Sequence, residues 1–205
     1  MKDKGKTKAQ LIEEIAVLRQ RVAELEAERQ HTNEVLRESE ARLSSLVDNA
    51  PHIVFMGQLA SAIHSAKRYG HPLSLCLYHL DNLKWIDDTY GPRTGDELIA
   101  KVGALIKNEL RTTDILGRLG DDKFYIIFPH TSVLDASISI ERIHNLLEKQ
   151  VFSIQDSPPL ETTGTFGIKE LSSKDMDEIV LFEATDEALR EARTLGGNRI
   201  VVKKK

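Results

Sequence analysis

Two groups of ionisable residues stand at the ends of apolar runs. His79 and Asp81 close the run Leu73–Leu80, and Gly120, Asp121, Asp122 and Lys123 make a tight polar turn between two short apolar stretches. Acids from a strand end and a neighbouring hairpin can share a divalent cation and a nucleoside triphosphate, because hard cations take oxygen ligands and neutralise phosphate charge. His79 has no second His or Cys at ligand spacing, so a satisfied histidine at a strand end is the favoured reading over a transition-metal ligand. The other histidines form no HxxxH or HExxH pattern, and Gly164, Gly167, Gly196 and Gly197 form neither a P-loop nor a GxGxxG turn. Cys76 lies inside an apolar strand without a basic neighbour in sequence, the setting of an inert thiol.

The elements that must position these residues follow from periodicity. Leu59, Ile63 and Ala66, with Tyr69 as an optional fourth, share one helical face that ends at Gly70-His71-Pro72. Leu73–Leu80 reads as a buried strand, 82–88 as a short helix, and Leu98, Ile99, Val102, Leu105, Ile106 and Leu110 as the face of a longer one. Asp114–Leu119 and Lys123–Phe128 flank the polar turn as a hairpin, stopped by Pro129. A helix through Ala136, Ile140, Ile143, Leu146 and Leu147 follows, then a strand over Thr162–Leu171, a helix over Ile179–Leu195 and a last strand over Arg199–Val202. This order predicts an α/β (α+β) fold with a ferredoxin-like βαββαβ core.

Residues 1–50 differ in kind. They hold no aromatic residue, no proline and one glycine, and nine Lys or Arg stand against ten Asp or Glu. Leu11, Ile15, Leu18, Val22 and Leu25 alternate at spacings of four and three, and the register continues through Arg29, Thr32, Leu36, Ser39, Leu43 and Leu46. β-branched Ile15 and Val22 at one seam position and Leu18 and Leu25 at the other favour a parallel two-stranded coil. The expected organisation is a coiled-coil helix over 1–50 and a second domain over 51–205. The alternative is an amphipathic helix folded onto its own domain.

The whole chain has 205 residues, a net charge of −4 and 40% hydrophobic residues, enough for one core. That charge argues against nucleic-acid binding by bulk positive potential. A single cysteine excludes an intramolecular disulfide, and no apolar run approaches membrane-spanning length. The expectation is a cytoplasmic protein without membrane insertion.

The stretch Leu73-Ser74-Leu75-Cys76-Leu77-Tyr78-His79-Leu80-Asp81-Asn82-Leu83-Lys84-Trp85-Ile86-Asp87-Asp88-Thr89-Tyr90-Gly91 resembles the family line PLSLLLLDIDxFKxINDxYG, and Gly95-Asp96-Glu97-Leu98 follows at the family spacing. Arg111-Thr112-Thr113-Asp114, continuing to Arg118-Leu119-Gly120-Asp121-Asp122-Lys123-Phe124, resembles RxxDxxxRxGGDEF, and Asp186 to Arg193 is similar to the closing DxALYxAK. The chain is identified by these motifs as resembling the GGDEF domain, the nucleotidyl-cyclase-like catalytic module of bacterial diguanylate cyclases. The resemblance implies condensation of two GTP molecules to cyclic di-GMP across a dimer, each subunit holding one GTP with its divalent cations.

Departures fall where that chemistry is done. His79 stands for the first acid of the DxD pair, and GDDKF stands for GGDEF, so only Asp122 keeps its carboxylate. Lys123 puts a fixed positive charge beside the cation. Asp121 adds a charged side chain where the triphosphate should meet bare backbone. Asp87 replaces the guanine-reading Asn and loses its donors, while Asp96 is kept. Lys84 remains, Arg193 replaces a Lys, and the Arg that should follow is Gly197. These changes predict no catalytic residues, a vestigial metal site at His79, Asp122 and Lys123, and a vestigial nucleotide site at Lys84, Asp87, Asp96, Gly120, Asp121 and Arg193. No cofactor is expected, with Mg²⁺ needed only if cyclase activity survives.

One constellation is whole. Arg111, Asp114 and Arg142 match the family's product-inhibition site. Guanidinium forks grip phosphates bidentately and stack on base planes, and a carboxylate accepts from guanine N–H groups. The competing structural reading is an Arg111–Asp114 salt bridge closing a helix, with Arg142 solvated. The resulting expectation is a catalytically inactive signalling protein that binds cyclic di-GMP through these three residues and pairs with a second copy, or with another signalling protein. The alternatives are a weakly active cyclase and a nucleotide-free dimerisation scaffold.

Overall fold

The computed structural model describes residues 21–22, 25–26, 29–30, 51–120, 122–155, 157–173 and 177–203. The chain divides into two compact units, Met1–Asn49 and Ala50–Lys205. In the first, the described residues are helical, and Val22 and Leu25 are exposed on the single chain. The rest of the heptad seam lies outside the described residues.

The second unit begins with helix α1, residues 51–69. Its elements continue as β1 (Leu73–Leu80), α2 (Leu83–Tyr90), α3 (Pro92–Glu109), β2 (Ile115–Arg118), β3 (Lys123–Pro129), α4 (Val133–Lys149), β4 (Val151–Phe152), β5 (Leu160–Glu161), β6 (Gly164–Glu170), α5 (Glu178–Thr194) and β7 (Ile200–Lys203). The main sheet has the order β2-β3-β1-β6-β7. β1 pairs antiparallel with β3 and β6, and β7 runs parallel to β6. Its first four strands have the ferredoxin-like arrangement, with β7 added at one edge. None of the described helices is long and apolar enough to cross a membrane.

Alternation along β1 divides the core. Cys76, Tyr78 and Leu80 face Leu98, Val102, Ile140 and Ile143 of α3 and α4. Leu73, Leu75 and Leu77 face the other way, onto Phe55, Leu59 and Ile63 of α1 and Leu181 and Leu189 of α5. A strand covered on both faces must be apolar throughout, which explains the almost unbroken run of β1. Full burial of one such Leu or Phe is worth about 1.5–3 kcal/mol. Local signals support the helix starts: Ser132 accepts from the Asp135 N–H to cap α4, and Asp177 accepts from the Val180 N–H to cap α5.

Two expectations are corrected, for Tyr69 and Pro129, and one element is added. Tyr69 is not part of the α1 core face: it is 61% exposed, with the Arg68 guanidinium over its ring. Residues 150–163 carry a small two-stranded ribbon, β4 with β5, too short to leave a periodic signal. Pro129 closes β3 from within, as its last residue paired with Leu73. Proline is tolerated at a strand end, where its missing N–H is not needed by the ladder.

Gly167 marks the closest approach of helix to sheet. A Cβ at this position would lie 2.3 Å from the Leu189 backbone nitrogen and 2.8 Å from the Thr185 carbonyl oxygen. Backbone atoms cannot yield by changing rotamer, so Gly167→Ala should destabilise the domain by roughly 1–3 kcal/mol, the usual cost of overpacking. The check is a lower urea midpoint at unchanged slope.

Candidate functional site

The double pairing of β1 assembles the site. His79 lies opposite Lys123 on β3 and opposite Thr165 on β6, so the three side chains share the α5 face of the sheet. The Leu80 N–H donates to the Asp122 carbonyl (2.9 Å) and the Asp81 N–H to the Thr163 carbonyl (3.0 Å), tying the end of β1 to both neighbours.

Here the structure brings His79 and Asp122 together, as the hairpin geometry predicts. His79 Nε2 is 2.9 Å from Asp122 Oδ2, and its Nδ1 is 3.3 Å from Asp81 Oδ1. Both ring nitrogens thus face carboxylate oxygens, which accept hydrogen bonds and donate none. In either neutral tautomer one ring nitrogen carries the proton and donates it to the carboxylate it faces.

Asp81 is engaged on every side. Its carboxylate accepts from the Thr163 hydroxyl at 2.7 Å, the Thr165 hydroxyl at 2.8 Å and the Asn198 N–H at 3.3 Å. Burial pushes its pKa up, but hydrogen bonds from His79, Thr163, Thr165 and the Asn198 N–H outweigh burial and hold it below the ordinary carboxylate value. The Gly196-Gly197 turn permits this close approach, since Gly197 has a φ of 71° and a Cβ there would lie 3.2 Å from Thr165 Oγ1. Thr163, Thr165 and Asn198 are functional partners that sequence reasoning missed, because threonines in a strand and a turn asparagine carry no distinctive spacing.

Lys123 does not stand free beside Asp122. Its ammonium donates to Asp186 Oδ1 on α5 at 2.9 Å, and Asp186 also pairs with Arg190 at 3.3 Å. Asp186 belongs to the DxALYxAK-like stretch, so its presence was legible, although its pairing was not. The donors present do not fit Mg²⁺. A histidine replaces a carboxylate, the remaining acids are committed to protein donors, and a lysine completes the row.

The residues expected from the sequence to form a vestigial nucleotide site are spread around this centre. Asp87 on α2 lies over Gly95 in the first turn of α3, so close that an added Cβ would fall 1.8 Å from Asp87 Oδ1. Asp96 beside it is exposed, as are Lys84 on α2, Arg193 in the last turn of α5 and Gly120 in the hairpin. Trp85 is exposed and meets Tyr90 edge to face at 5.7 Å, so it does not pack into the core. Asp121 lies outside the described residues.

The second constellation is at the other end of the hairpin. Between α3 and β2, the Arg111 N–H donates to Asp114 Oδ2 at 2.9 Å, and the Asp114 N–H donates to the Arg111 carbonyl at 3.1 Å. The side-chain salt bridge between Arg111 and Asp114 that was the competing reading is not formed, since the carboxylate is turned onto backbone. Asp114 is only 5% exposed, and its Oδ1 has no hydrogen-bond partner. The Arg111 side chain is exposed. Arg142 of α4 is brought to this turn, where its Nε and Nη2 donate to the Glu109 carboxylate and carbonyl, each at 2.6 Å. Glu109 is a partner that sequence reasoning did not single out.

A mixed sheet with helices on both faces, a charged cluster joining β1 to the β2–β3 hairpin and an RxxD turn preceding that hairpin define a cyclase-type α/β domain. The chain belongs to the family described as diguanylate cyclase, GGDEF domain, whose model matches residues 46–199. The diguanylate cyclase DosC of Escherichia coli K12 is 31% identical over 138 residues, which cover 67% of this chain and 30% of that protein. The chain therefore spans under a third of that relative's length. Among solved structures, the active GGEEF domain of a diguanylate cyclase from Vibrio cholerae is 27% identical with a TM-score of 0.67, covering 73% of this chain and 94% of that one. The coiled coil and GGDEF domain of DgcB from Caulobacter crescentus, in complex with c-di-GMP, is 21% identical with a TM-score of 0.70, covering 87% and 99%.

Asp81→Asn tests the hydrogen-bonded cluster. Losing an acceptor for buried donors should cost about 1–3 kcal/mol at neutral pH. Because the folded-state pKa is depressed, the Asp81 contribution is complete above the unfolded carboxylate pKa and is lost as pH falls through the folded one. The melting temperatures of wild type and Asp81→Asn should therefore converge on acidification.

Proposed function

We propose that this GGDEF-family domain is not a working cyclase and serves as a cytoplasmic cyclic di-GMP receptor. The observation that carries this reading is the 2.9 Å contact between His79 Nε2 and Asp122 Oδ2, which puts an imidazole against the one carboxylate retained from the signature. Lys123 and Asp186 complete an internal charge balance that a cation would otherwise supply. No cofactor is required on this reading.

Ligand binding at Arg111, Asp114 and Arg142 is supported by the buried, unpartnered Asp114 Oδ1, which is left to accept from a guanine N–H. The exposed Arg111 guanidinium is available to a phosphate or a base plane. Arg142 must exchange its Glu109 contacts for the ligand. The exposed pair is a weak tether, since solvent-exposed ion pairs contribute little. The heptad seam over residues 1–50 would join two copies, and a ligand bridging two domains would bias their orientation through the coil.

Two measurements check these statements. Purified protein incubated with GTP and Mg²⁺ or Mn²⁺ should yield no cyclic di-GMP above a blank; product formation overturns the non-catalytic reading. Calorimetric titration with cyclic di-GMP should show saturable binding that Arg111→Ala weakens by roughly tenfold or more, the loss of a charge-assisted contact. An absence of binding by the wild type would leave only a scaffold.

A further inference from the structure

At the end of β1 remote from His79, α1 does not seal against the sheet. A cavity of about 490 Å³ opens there, lined by Val54, Ala62, Ala66, Leu73, Ile115 and Pro129, with Gln58, Ser61, Ser65, His71 and His130 as its polar groups. That volume is in the range of small-molecule sites, as is an apolar wall with few polar groups.

The polar groups are not evenly spread. Gln58 is engaged, its Oε1 accepting from the Tyr125 hydroxyl at 2.7 Å. His71 and His130 meet edge to face, ring centroids 4.5 Å apart, at the end of the cavity where the His71 N–H donates to the Ala66 carbonyl. His130 holds a left-handed backbone, φ 54°, that a non-glycine residue adopts at a cost. Its neighbours fix it: the Thr131 N–H donates to the Pro72 carbonyl, the Thr131 hydroxyl to the Pro129 carbonyl and the Ser74 hydroxyl to the Thr131 carbonyl. The strained turn therefore aims one imidazole at the other.

Each imidazole presents at least one N–H in either tautomer. The lining includes no Asp, Glu, Lys or Arg. An anionic head finds donors and no repelling carboxylate, whereas a cationic head finds no counter-charge. From Val54 to Ala66 the α1 wall runs about 18 Å at helical rise, long enough to hold an extended alkyl chain of about a dozen carbons. We propose that the cavity between α1 and the β1–β3 end binds a medium-chain alkyl carboxylate, its carboxylate on the His71 and His130 N–H groups and its chain along α1. This site is separate from the RxxD turn and goes beyond the receptor reading.

Calorimetry with dodecanoate, dodecanol and dodecyltrimethylammonium, each below its critical micelle concentration, tests the assignment on the full chain. Dodecanoate should bind saturably at one site per chain, more tightly than the alcohol, and the cation should not bind. The double variant His71→Ala/His130→Ala should weaken dodecanoate about tenfold, the loss of a charge-assisted hydrogen bond, and leave dodecanol unchanged. Ser61→Trp, at an exposed position on the wall, should abolish binding of both. Gly57→Trp is the second filling variant, because a Cβ there meets nothing within 4 Å. Circular dichroism and melting temperature identify a filling variant that stays folded. No saturable dodecanoate binding, equal affinity for acid and alcohol, or wild-type affinity in a folded filling variant each overturns the proposal.

Discussion

The central position of β1 is the constraint on which the rest depends. Because it is hydrogen-bonded to β3 on one side and β6 on the other, every side chain along it has a cross-strand neighbour at close range. At its C-terminal end that pairing sets His79 between Lys123 and Thr165. At its N-terminal end it sets Leu73 beside Pro129, and His71, which precedes the first, meets His130, which follows the second. One ladder thus positions both ends of the domain, and a one-residue slip would turn His79 into the α3–α4 core and Tyr78 out of it.

The charged cluster at the first end is a self-contained electrostatic unit. In a site built for magnesium and a triphosphate, carboxylates repel one another until a cation arrives. Here His79 and Lys123 sit among Asp81, Asp122 and Asp186, and each acid has a protein partner. The substitutions are mutually consistent with the proposed non-catalytic reading, in which a histidine and a lysine at acid positions stand where the ion would balance charge. The same cluster bonds the end of β1 to β6 and, through Lys123, β3 to α5, so it contributes to holding the fold. That contribution is visible in Asp81, whose carboxylate is bonded by His79 of β1, Thr163 just before β6, Thr165 of β6 and the Asn198 N–H in the turn before β7.

The RxxD turn behaves differently. Its carboxylate uses one oxygen to hold the turn and leaves the other buried without a partner. A salt bridge with Arg111 would have satisfied that oxygen, but the exposed Arg111 side chain does not form one. Contrast between a fully satisfied cluster at one end of the hairpin and an incompletely satisfied one at the other is the physical basis for proposing ligand binding at the second and not the first.

The order of the main-sheet strands and the helices, the burial of β1, and the family were all legible in the sequence, because they rest on periodicity and on contiguous motifs. The departures at His79, Asp87, Asp121 and Lys123 were equally legible, since each changes a side chain's charge or hydrogen-bonding at a fixed motif position. The partners were not. Thr163, Thr165 and Asn198 around Asp81, Asp186 on Lys123 and Glu109 on Arg142 lie 33 to 117 residues away from the groups they bond. Such contacts leave no local spacing. Whether a histidine near an acid pairs with it, or an Arg three residues from an Asp bridges to it, depends on strand register and turn geometry. Those are decided only when the chain packs, and here packing paired His79 with Asp122 and left Arg111 unpaired from Asp114.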